Sequence, residues 1–252
     1  MKLSDKVAIV TGGGTGMGRA MCERFAREGA RVVVNYSRSR DAAEEVVSRI
    51  GQEGGEAMAL QADVSVDAQV REMVRKTEEK WGRLDILVNN GAWTKRVPHQ
   101  NLEDLTDEIW DRTLNTDLRG PFYCMRAAAP LLKKNPGAAI INVSSTAAFY
   151  GDGSSIAYSA AKAGLIVMTT SFARLLAPEV RVNTLIPGTL PTGFAGWPPE
   201  FYEGISGQTP LGRLATTEEF AAAALFLVAD GTFMTGQSIT VDCGVFALRR
   251  KP

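Results

Sequence analysis

The chain contains 252 residues, of which 45% are hydrophobic and 22% are charged, a composition typical of globular domains and unlike that of disordered chains. Its 28 Lys and Arg residues balance 28 Asp and Glu residues, so the formal net charge is zero. This balance argues against a protein that binds nucleic acid or an anionic membrane through a broad positive surface. The apolar runs are also far shorter than the ~18 residues that a membrane span requires.

Cysteine and histidine usage restricts the compartment and the metal chemistry. The three cysteines, Cys22, Cys124 and Cys243, are odd in number and far apart, which argues against a disulfide framework and for a reducing compartment. The N-terminus lacks the long apolar stretch of a signal peptide, so we expect a cytoplasmic protein. With a single histidine, His99, and no clustered cysteines, we expect no metal site.

Short β-branched runs alternate with longer amphipathic stretches along the chain. The pattern predicts, in order, a strand at 7–10, a helix at 17–28, a strand at 31–35, a helix at 41–50, a strand at 57–62, a helix at 66–81, a strand at 84–89, a helical stretch at 103–134, a strand at 139–143, a helix at 156–176, a strand at 180–186, a helix at 216–229 and a strand at 238–241. The stretch at 103–134 is predicted to break near Gly120-Pro121.

This alternation predicts an α/β fold with parallel strands joined by right-handed helical crossovers. The strands are largely apolar, which fits a sheet covered by helices on both faces. We therefore expect a Rossmann-type doubly wound parallel sheet of about seven strands, in one domain spanning 1–252. The stretch 187–212 is rich in Gly, Pro and aromatic residues, and we interpret it as an irregular lid over a substrate.

The first predicted turn, residues 11–18, reads Thr-Gly-Gly-Gly-Thr-Gly-Met-Gly and is called the glycine-rich turn below. Glycines allow a tight turn and a close approach of the backbone to a pyrophosphate, and the following helix offers free N–H groups. A tight turn without a ligand would also use glycine. The position between the first strand and the first helix favours dinucleotide binding.

The end of the second strand bears on cofactor choice. An acidic residue there would hydrogen-bond the ribose 2′-hydroxyl of NAD. This chain instead reads Asn35-Tyr36-Ser37-Arg38, and an arginine can pair with a 2′-phosphate. A merely solvated Arg38 is the alternative, but the pattern favours NADP(H).

Tyr158 and Lys162 are four residues apart, so they share one face of the predicted helix. An isolated tyrosine has a pKa near ~10, and a neighbouring ammonium favours the phenolate, which makes the tyrosine a better acid–base catalyst. Ser144 and Ser145 end the fifth strand, where a hydroxyl could donate to a substrate carbonyl. Nucleophilic serine chemistry is disfavoured because no G-x-S-x-G elbow is present.

Together these residues resemble the short-chain dehydrogenase/reductase family over nearly the whole chain, from 6 to 244. The motifs occur in family order: the glycine-rich turn; Asp63-Val64; Asn89-Asn90; Asn115; Ser145; Tyr158-x-x-x-Lys162; Asn183-x-x-x-Pro187-Gly188; and Thr192. The family spacing of serine and tyrosine selects Ser145 over Ser144. Each motif alone is weak, whereas the ordered set is specific.

The resemblance implies roles for these positions. Tyr158 would be the general acid/base, Ser145 would orient the substrate carbonyl, and Lys162 would hold the nicotinamide ribose and lower the tyrosine pKa. Asn115 would fix a helix bend and a water linking Lys162 to solvent. The cofactor would be bound by Gly12, Gly14, Thr15, Gly16, Met17, Gly18, Arg38, Asp63, Val64, Asn90, Gly91, Tyr158, Lys162, Pro187, Gly188 and Thr192.

The chain departs from the family pattern in three places. Gly91-Ala92 inverts the usual Ala-Gly, and a positive φ at Ala92 would cost roughly 1–2 kcal/mol. Thr15 stands where many NADP-using members have a basic residue, which leaves Arg38 alone on the phosphate. Cys243 replaces a glycine of the usual Asp-Gly-Gly, and we interpret it as a small buried residue rather than a catalytic thiol.

Other conspicuous residues receive simpler interpretations. His99 is predicted to be a surface loop residue without a partner, and Trp81 and Trp110 are predicted to be core residues. The aromatic residues predicted to line a substrate pocket are Trp93, Phe149, Phe194, Trp197, Phe201 and Tyr202.

We therefore expect an NADP(H)-dependent carbonyl reductase that runs reversibly as an alcohol dehydrogenase, with a small-molecule substrate. The lid at 187–212 contains acids but no Lys or Arg, which favours a mostly apolar ketone or aldehyde, although Arg96 could reach the pocket from its loop. A homo-oligomer, specifically a tetramer, is implied by the resemblance, with Ala160, Ala161 and Gly164 as a small-residue contact face. The substrate, its stereochemistry and the physiological direction stay open.

Two alternatives remain. The chain could be a 3-oxoacyl-acyl-carrier-protein reductase, although the basic residue that such enzymes carry before the sixth strand is absent from 176–180. It could also be a non-catalytic dinucleotide-sensing protein, a hypothesis that predicts loss of Ser145, Tyr158 or Lys162. All three are present.

Overall fold

A computed structural model describes residues 1–245 and contains a seven-stranded parallel sheet. The strands are β1 (Val7–Val10), β2 (Arg31–Tyr36), β3 (Ala57–Gln61), β4 (Ile86–Asn89), β5 (Ala138–Val143), β6 (Val180–Pro187) and β7 (Ser238–Val241), and their order in the sheet is β3-β2-β1-β4-β5-β6-β7. The predicted doubly wound parallel sheet is confirmed. The end of the predicted domain, 246–252, lies outside the described residues.

Helices cover both faces of the sheet. They are α1 (Gly16–Arg27), α2 (Arg40–Gln52), α3 (Asp67–Trp81), α4 (Asp107–Leu114), α5 (Gly120–Leu132), α6 (Ala147–Tyr150), α7 (Ile156–Leu176), α8 (Pro199–Ser206) and α9 (Thr217–Leu225), with a 3₁₀ turn at Leu102–Asp104 and π turns at Asn115–Arg119 and Phe226–Asp230. The helix predicted at 156–176 has the observed bounds.

Each face of the sheet has its own apolar core. Successive residues of a strand point to opposite faces, so Ala8 and Val10 join one core and Val7 and Ile9 the other. The first core includes side chains of α1, α2 and α9, and the second includes side chains of α3, α5 and α7. This arrangement explains why β1 is apolar at every position.

The structure refines two local predictions. The break predicted near Gly120-Pro121 is the π turn Asn115–Arg119 directly before them, and Gly120-Pro121 begin α5, because proline is tolerated in the first turn of a helix. The lid at 187–212 is not irregular throughout, since it contains α8.

In the described part of the chain, α7 is long and apolar enough to pass a length-and-composition test for a membrane span. Its most apolar window is 44% buried, and Leu165 and Phe172 lie among the protein's buried side chains. α7 therefore has the burial of a core helix.

Candidate active site

The predicted site residues lie along one edge of the sheet, at the carboxyl ends of its strands. Reading across the sheet, β3 is followed by Asp63-Val64, β2 by Arg38, β1 by the glycine-rich turn, β4 by Asn90-Gly91 and β5 by Ser145, while β6 ends at Pro187 and is followed by Gly188. This edge is where open parallel sheets bind ligands. Residues scattered over the sequence thus form one continuous row.

The glycine-rich turn is so tight that several of its positions have no room for a side chain. Gly12 has φ +62°, and a Cβ there would lie 3.0 Å from Gly91 Cα. A Cβ on Gly18 would lie 2.1 Å from Gly12 O. Only glycine fits these positions, because the strand, the turn and α1 approach one another at backbone distance.

The N-terminus of α1 is open for an anion. Thr15 is the N-cap residue but makes no side-chain cap hydrogen bond, and the first turn, which includes Gly16 and Met17, has no acidic residue. The first N–H groups of a helix need acceptors and carry a partial positive charge, so they suit a phosphate. Gly14 has a packing role as well: a Cβ there would lie 3.0 Å from the backbone nitrogen of Ala43 in α2.

The loop after β4 is tied to this turn. The Asn90 side chain donates to Thr11 O at 2.8 Å and to Gly12 O at 3.2 Å, and the backbone N–H of Gly91 donates to Thr11 Oγ1 at 2.8 Å. Ala92 is not among the described non-glycine residues with positive φ. The strain considered for the Gly91-Ala92 inversion is therefore absent, because this loop does not need a left-handed residue at 92.

The residues expected at the adenosine end lie beyond β2 and β3. Arg38 is exposed on the loop after β2, and Asn35 is buried, with its Oδ1 accepting from Gly12 N at 3.3 Å. Asp63 Oδ1 accepts from the backbone and hydroxyl of Ser65, and Val64 is buried against Gly120. Asn35 thus supports the turn, while Arg38 is the cation presented to solvent.

The two serines after β5 have different environments. Ser144 is buried, and its hydroxyl donates to the backbone oxygen of Lys162 at 2.9 Å. Ser145 lines a cavity together with Tyr158, and its side chain opposes the rise in the pKa of Tyr158. The structure therefore places Ser145 beside Tyr158 and gives Ser144 a structural contact.

Lys162 lies behind Tyr158 and is almost completely buried, at 3% exposure. Its Nζ donates to Val143 O at 3.1 Å and lies 5.5 Å from the centre of the Tyr158 ring. Burial lowers the pKa of Lys162, and the nearby carboxylate of Asp117 opposes that shift.

Asp117 is a site residue that sequence reasoning missed. It is fully buried in the π turn, and its Oδ2 lies 4.0 Å from Lys162 Nζ. Asn115, predicted to bend the helix and connect to Lys162, does begin the π turn, but the charged partner of Lys162 is Asp117. The sequence contained one signal for this residue. Ile109, Thr113 and Asp117 recur at intervals of four, which places them on one helix face, and in the structure all three are buried on the inner face.

The pKa of Tyr158 is raised in this structure, which is opposite to the lowering expected from Lys162. Burial and the negative charge of Asp117 raise the pKa of Tyr158, and the side chain of Ser145 lowers it in part. The ammonium of Lys162 is hydrogen-bonded to Val143 O and has the Asp117 carboxyl nearby. Tyr158 is therefore held as a phenol.

A cavity of about 390 Å³ lies between these hydroxyls and the lid. Four predicted aromatic residues, Phe194, Trp197, Phe201 and Tyr202, line it, as do Met17, Pro187, Gly188 and Thr192 of the expected cofactor set. Phe149 and Trp93 are not among its lining residues. Tyr150 takes the place expected for Phe149, because α6 turns the next side chain inward.

The charged residues that line the cavity, within 1–245, are the acids Asp152 and Asp242. Arg96 lies outside the lining, with its guanidinium carbon 5.0 Å from the Trp197 ring, and Trp197 stacks on Phe201 at 4.2 Å. The cation considered for the pocket thus contacts Trp197 and does not line the cavity. Sequence reasoning did not assign either acid to the cavity.

Comparisons with known proteins agree with this arrangement. A family model described as Enoyl-(Acyl carrier protein) reductase matches residues 12–246. An uncharacterized oxidoreductase of Thermotoga maritima is 37% identical over 98% of this chain and 100% of its own length. A 3-oxoacyl-[acyl-carrier-protein] reductase of Synechocystis sp. is 36% identical over 96% of this chain and 98% of its own. A solved structure from Brucella melitensis, titled Short-chain dehydrogenase/reductase SDR:Glucose/ribitol dehydrogenase, matches with a TM-score of 0.90 at 28% identity, covering 97% of this chain and 98% of that one.

The chain belongs to the short-chain dehydrogenase/reductase family. It is an oxidoreductase acting on CH–OH/C=O groups with a nicotinamide cofactor, as the family assignment implies. Its resemblance to 3-oxoacyl-acyl-carrier-protein reductases is likewise confirmed.

Several simpler interpretations of this short-chain dehydrogenase/reductase need correction. His99 has a partner: its Nε2 lies 3.1 Å from Gly153 O, which ties the loop after β4 to the loop before α7. Trp110 is 36% exposed rather than core. Cys243 is only partly buried and has φ +56°, the left-handed region in which glycine is favoured.

Within residues 1–245, no group of three or more His, Cys, Asp or Glu side chains could hold a metal ion. The functional groups at this edge of the sheet include the hydroxyls of Ser145 and Tyr158, the ammonium of Lys162 and the carboxyl of Asp117.

Proposed function

We propose that this protein is an NADP(H)-dependent oxidoreductase that transfers hydride between the nicotinamide and a carbonyl or secondary alcohol, with a mostly apolar ketone or aldehyde as substrate. The observation that carries the proposal is that the side chains of Ser145 and Tyr158 lie together at the cavity wall, with the buried Lys162 Nζ 5.5 Å from the centre of the Tyr158 ring. If these residues served only a tight turn or core packing, the hydroxyls of Ser145 and Tyr158 would not be needed at a cavity wall.

The hydroxyls provide the proton chemistry. Ser145 is placed to donate a hydrogen bond to a substrate carbonyl oxygen, which fixes the carbonyl and polarises it. Tyr158, held as a phenol, is placed to donate its proton to the same oxygen during reduction. In the reverse direction the phenolate of Tyr158 accepts the proton of an alcohol. The bound nicotinamide supplies or accepts the hydride.

The residues present fit a dinucleotide. The glycine-rich turn offers a cradle that side chains at Gly12 and Gly18 would fill, and the uncapped start of α1 offers N–H groups to a pyrophosphate. We propose that the other predicted cofactor residues at this edge complete the site. Lys162 uses one N–H for Val143 O and retains further donors for a ribose.

NADP(H) is preferred in this proposal because of Arg38. The residues that follow β2, Ser37 and Arg38, are not acidic, so no carboxylate binds a free 2′-hydroxyl or repels a phosphate there. Arg38 is exposed at this position. A guanidinium can bind the 2′-phosphate with two hydrogen bonds.

The cavity supports an apolar, non-anionic substrate. Aromatic side chains of the lid form one wall of the cavity, and the described residues that line it include no Lys or Arg to pair with a carboxylate or phosphate. The test compares kcat/KM for an aryl or alkyl ketone and a matched keto acid with NADPH. A keto acid preferred tenfold or more would contradict this substrate class.

A second candidate, 3-oxoacyl-acyl-carrier-protein reductase, is favoured by the full-length similarity to proteins of that name. Against it, 176–180, directly before and into β6, contains Glu179 and no basic residue for an acidic carrier. Reduction of a 3-oxoacyl group on the carrier, measured against the same group on a short thioester, separates the two. A strong preference for the carrier-bound form would favour the second candidate.

A non-catalytic dinucleotide-sensing protein is disfavoured because Ser145, Tyr158 and Lys162 are all present and assembled. We propose in addition that the enzyme works in the cytoplasm, since its three cysteines are free and Cys22 and Cys124 are buried.

Self-association is also proposed, as a tetramer, through the outward face of α7. The prediction of the contact face is wrong for two of its three residues. Ala161 is buried, and Gly164 faces the same chain, because a Cβ on it would lie 3.2 Å from Leu118. Ala160 and Val167 do face outward, and Val167 is 69% exposed. An exposed apolar stripe on a helix suits contact with a second copy.

A further inference from the structure

Asp117 combines features that a packing residue would not need. It is completely buried, and its Oδ1 accepts a hydrogen bond from the backbone N–H of Trp93 at 2.7 Å. Its Oδ2 is buried without a hydrogen-bond partner and lies 4.0 Å from Lys162 Nζ. An unsatisfied buried carboxylate oxygen is costly unless a charge compensates it. The compensating charge here is the ammonium of Lys162.

The backbone around Asp117 departs from a regular α-helix. Asp117 lies in the π turn Asn115–Arg119, where Gly120 N–H donates to Asn115 O, five residues back. Such wide turns inside helices cost regular hydrogen bonding and occur frequently at functional sites. α7, which carries Tyr158 and Lys162, packs against this turn through the contact of Gly164 with Leu118.

We propose that Asp117 is a positioning residue that acts through Lys162 and Tyr158: as a carboxylate it keeps the buried lysine in its ammonium form and keeps the tyrosine in its phenol form. The proposal rests on the proposed function only for its consequence in catalysis. The ion pair itself is a property of the protein without substrate.

The charges around Asp117 support this assignment. Burial raises its pKa to about 6, and Lys162 and the Trp93 N–H limit that rise, so the carboxyl is ionised at neutral pH. Its charge raises the pKa of Lys162 against the effect of burial, and it also raises the pKa of Tyr158. In the described chain, Lys162 and Tyr158 of α7 are the titratable groups coupled to this carboxyl, and the loop after β4 contributes only the Trp93 N–H.

Asp117 affects carbonyl reduction and alcohol oxidation differently. A lone ammonium near Tyr158 would favour the phenolate, whereas an ammonium paired with a carboxylate does so far less. Asp117 therefore keeps the proton on Tyr158 for carbonyl reduction at neutral pH. Alcohol oxidation, which needs the phenolate, is displaced to alkaline pH.

The kinetic test measures kcat/KM for oxidation of a secondary alcohol with NADP⁺ as a function of pH. In Asp117→Asn, the midpoint of the rising limb should move to lower pH by roughly one unit, because the negative charge that opposes the phenolate is gone. Asp111→Asn is the matched control: it removes an exposed carboxylate in the neighbouring α4 and should leave the midpoint unchanged. An unchanged or higher midpoint in Asp117→Asn would overturn the proposal.

A second measurement needs no turnover. Infrared difference spectra of the protein without substrate should show a protonated carboxyl band that disappears as the pH rises through about 6. The band should be absent in Asp117→Asn, and in Lys162→Met its midpoint should move to higher pH, because the carboxylate loses its counter-charge. A band that survives Asp117→Asn, or that keeps its midpoint in Lys162→Met, would refute the ion pair. If Asp117→Asn fails to fold, the midpoint of the band in Lys162→Met decides whether the ion pair exists. If both spectral effects are seen but the protein does not oxidise the alcohol, only the proposed function is refuted.

Discussion

The Nζ of Lys162 donates a hydrogen bond to the carbonyl oxygen of Val143, at a distance of 3.1 Å. Val143 is the last residue of β5, so the ammonium is held directly below the strand end from which Ser145 follows. The same lysine is one helical turn beyond Tyr158 on α7. Together with the hydrogen bond from the Ser144 hydroxyl to the backbone oxygen of Lys162, this bond ties the strand that precedes the serine to the helix that carries the tyrosine.

Tyr158→Phe should abolish turnover while cofactor binding persists. Phenylalanine keeps the ring that packs 6.2 Å from Phe194 but has no proton to donate. General acid catalysis contributes about 10²–10⁴ in rate, so a loss of that order in kcat is expected. Single-turnover kinetics and a fluorescence titration with NADPH measure the two quantities. Near-normal kcat in this variant would rule out the proposed mechanism.

Arg38→Ala should weaken NADPH binding by roughly 1.5–3 kcal/mol and leave NADH binding nearly unchanged, because a charge-assisted contact to the 2′-phosphate is lost. Arg40→Ala is the control, since Arg40 lies near Glu44 in an exposed ion pair on α2. Calorimetric titration with both cofactors gives the values. Equal losses for the two cofactors would mean that Arg38 has a structural role.

Arg96→Ala should raise KM for an apolar ketone by about twofold to fivefold with little change in kcat. The guanidinium stacks on Trp197, and an exposed contact of this kind contributes roughly 0.5–1 kcal/mol. Its loss loosens the aromatic wall of the lid. Lys95→Ala, an exposed cation one position earlier, should have no such effect. If Arg96→Ala instead abolished activity only toward keto acids, Arg96 would be a substrate ligand.

Val167→Glu should shift the protein toward smaller species in sedimentation at micromolar concentration. A charge on the outward face of α7 cannot be buried between two copies without a large desolvation cost. Leu102→Glu, at an equally exposed position outside α7, serves as the control. If the protein without any substitution already sediments as a 27.1 kDa species, self-association is contradicted.

Asp85 should make the stability of the protein sensitive to acid. Its buried carboxylate accepts hydrogen bonds from Arg83, Lys6 and the backbone N–H of Val7. Burial opposes ionisation, but these donors lower the pKa of Asp85 below its ordinary value. The stabilisation is therefore present above about pH 4, the unfolded pKa, and is lost as the pH falls through the lower folded pKa.

The variant test for this carboxylate is Asp85→Asn, which should cost about 1–3 kcal/mol of unfolding free energy at neutral pH and reduce the loss on acidification. Urea unfolding at two pH values measures both. Glu103→Gln, an exposed carboxylate, is the control. An acid dependence identical in the two variants would show that other carboxyls dominate.

The sequence was sufficient to predict the fold because its local signals agree. Most strands are short, largely apolar runs, and glycines follow several helices, as Gly82 follows α3 with φ +69°. The serine, tyrosine and lysine were also recognisable, since strand-end position and helical spacing are local properties.

What the sequence did not reveal depends on tertiary contacts. The partnership of Asp117 and Lys162 joins residues on different helices, and no local pattern specifies a distance across the fold. The raised pKa of Tyr158 has the same origin, because burial and the charge of Asp117 act through space. Likewise, whether Phe149 or Tyr150 faces the cavity depends on a four-residue helix, α6, that is too short for a periodic signal.

The arrangement of loops along one sheet edge separates two kinds of change. The proton-handling groups follow β5 or lie on α7 and the π turn, whereas the aromatic wall belongs to the segment between β6 and α9. The two groups meet at Phe194, whose ring lies 6.2 Å from the Tyr158 ring. Substrate preference in this scaffold is therefore expected to vary most freely at Trp197, Phe201 and Tyr202, whereas a change at Phe194 is expected to alter proton transfer as well.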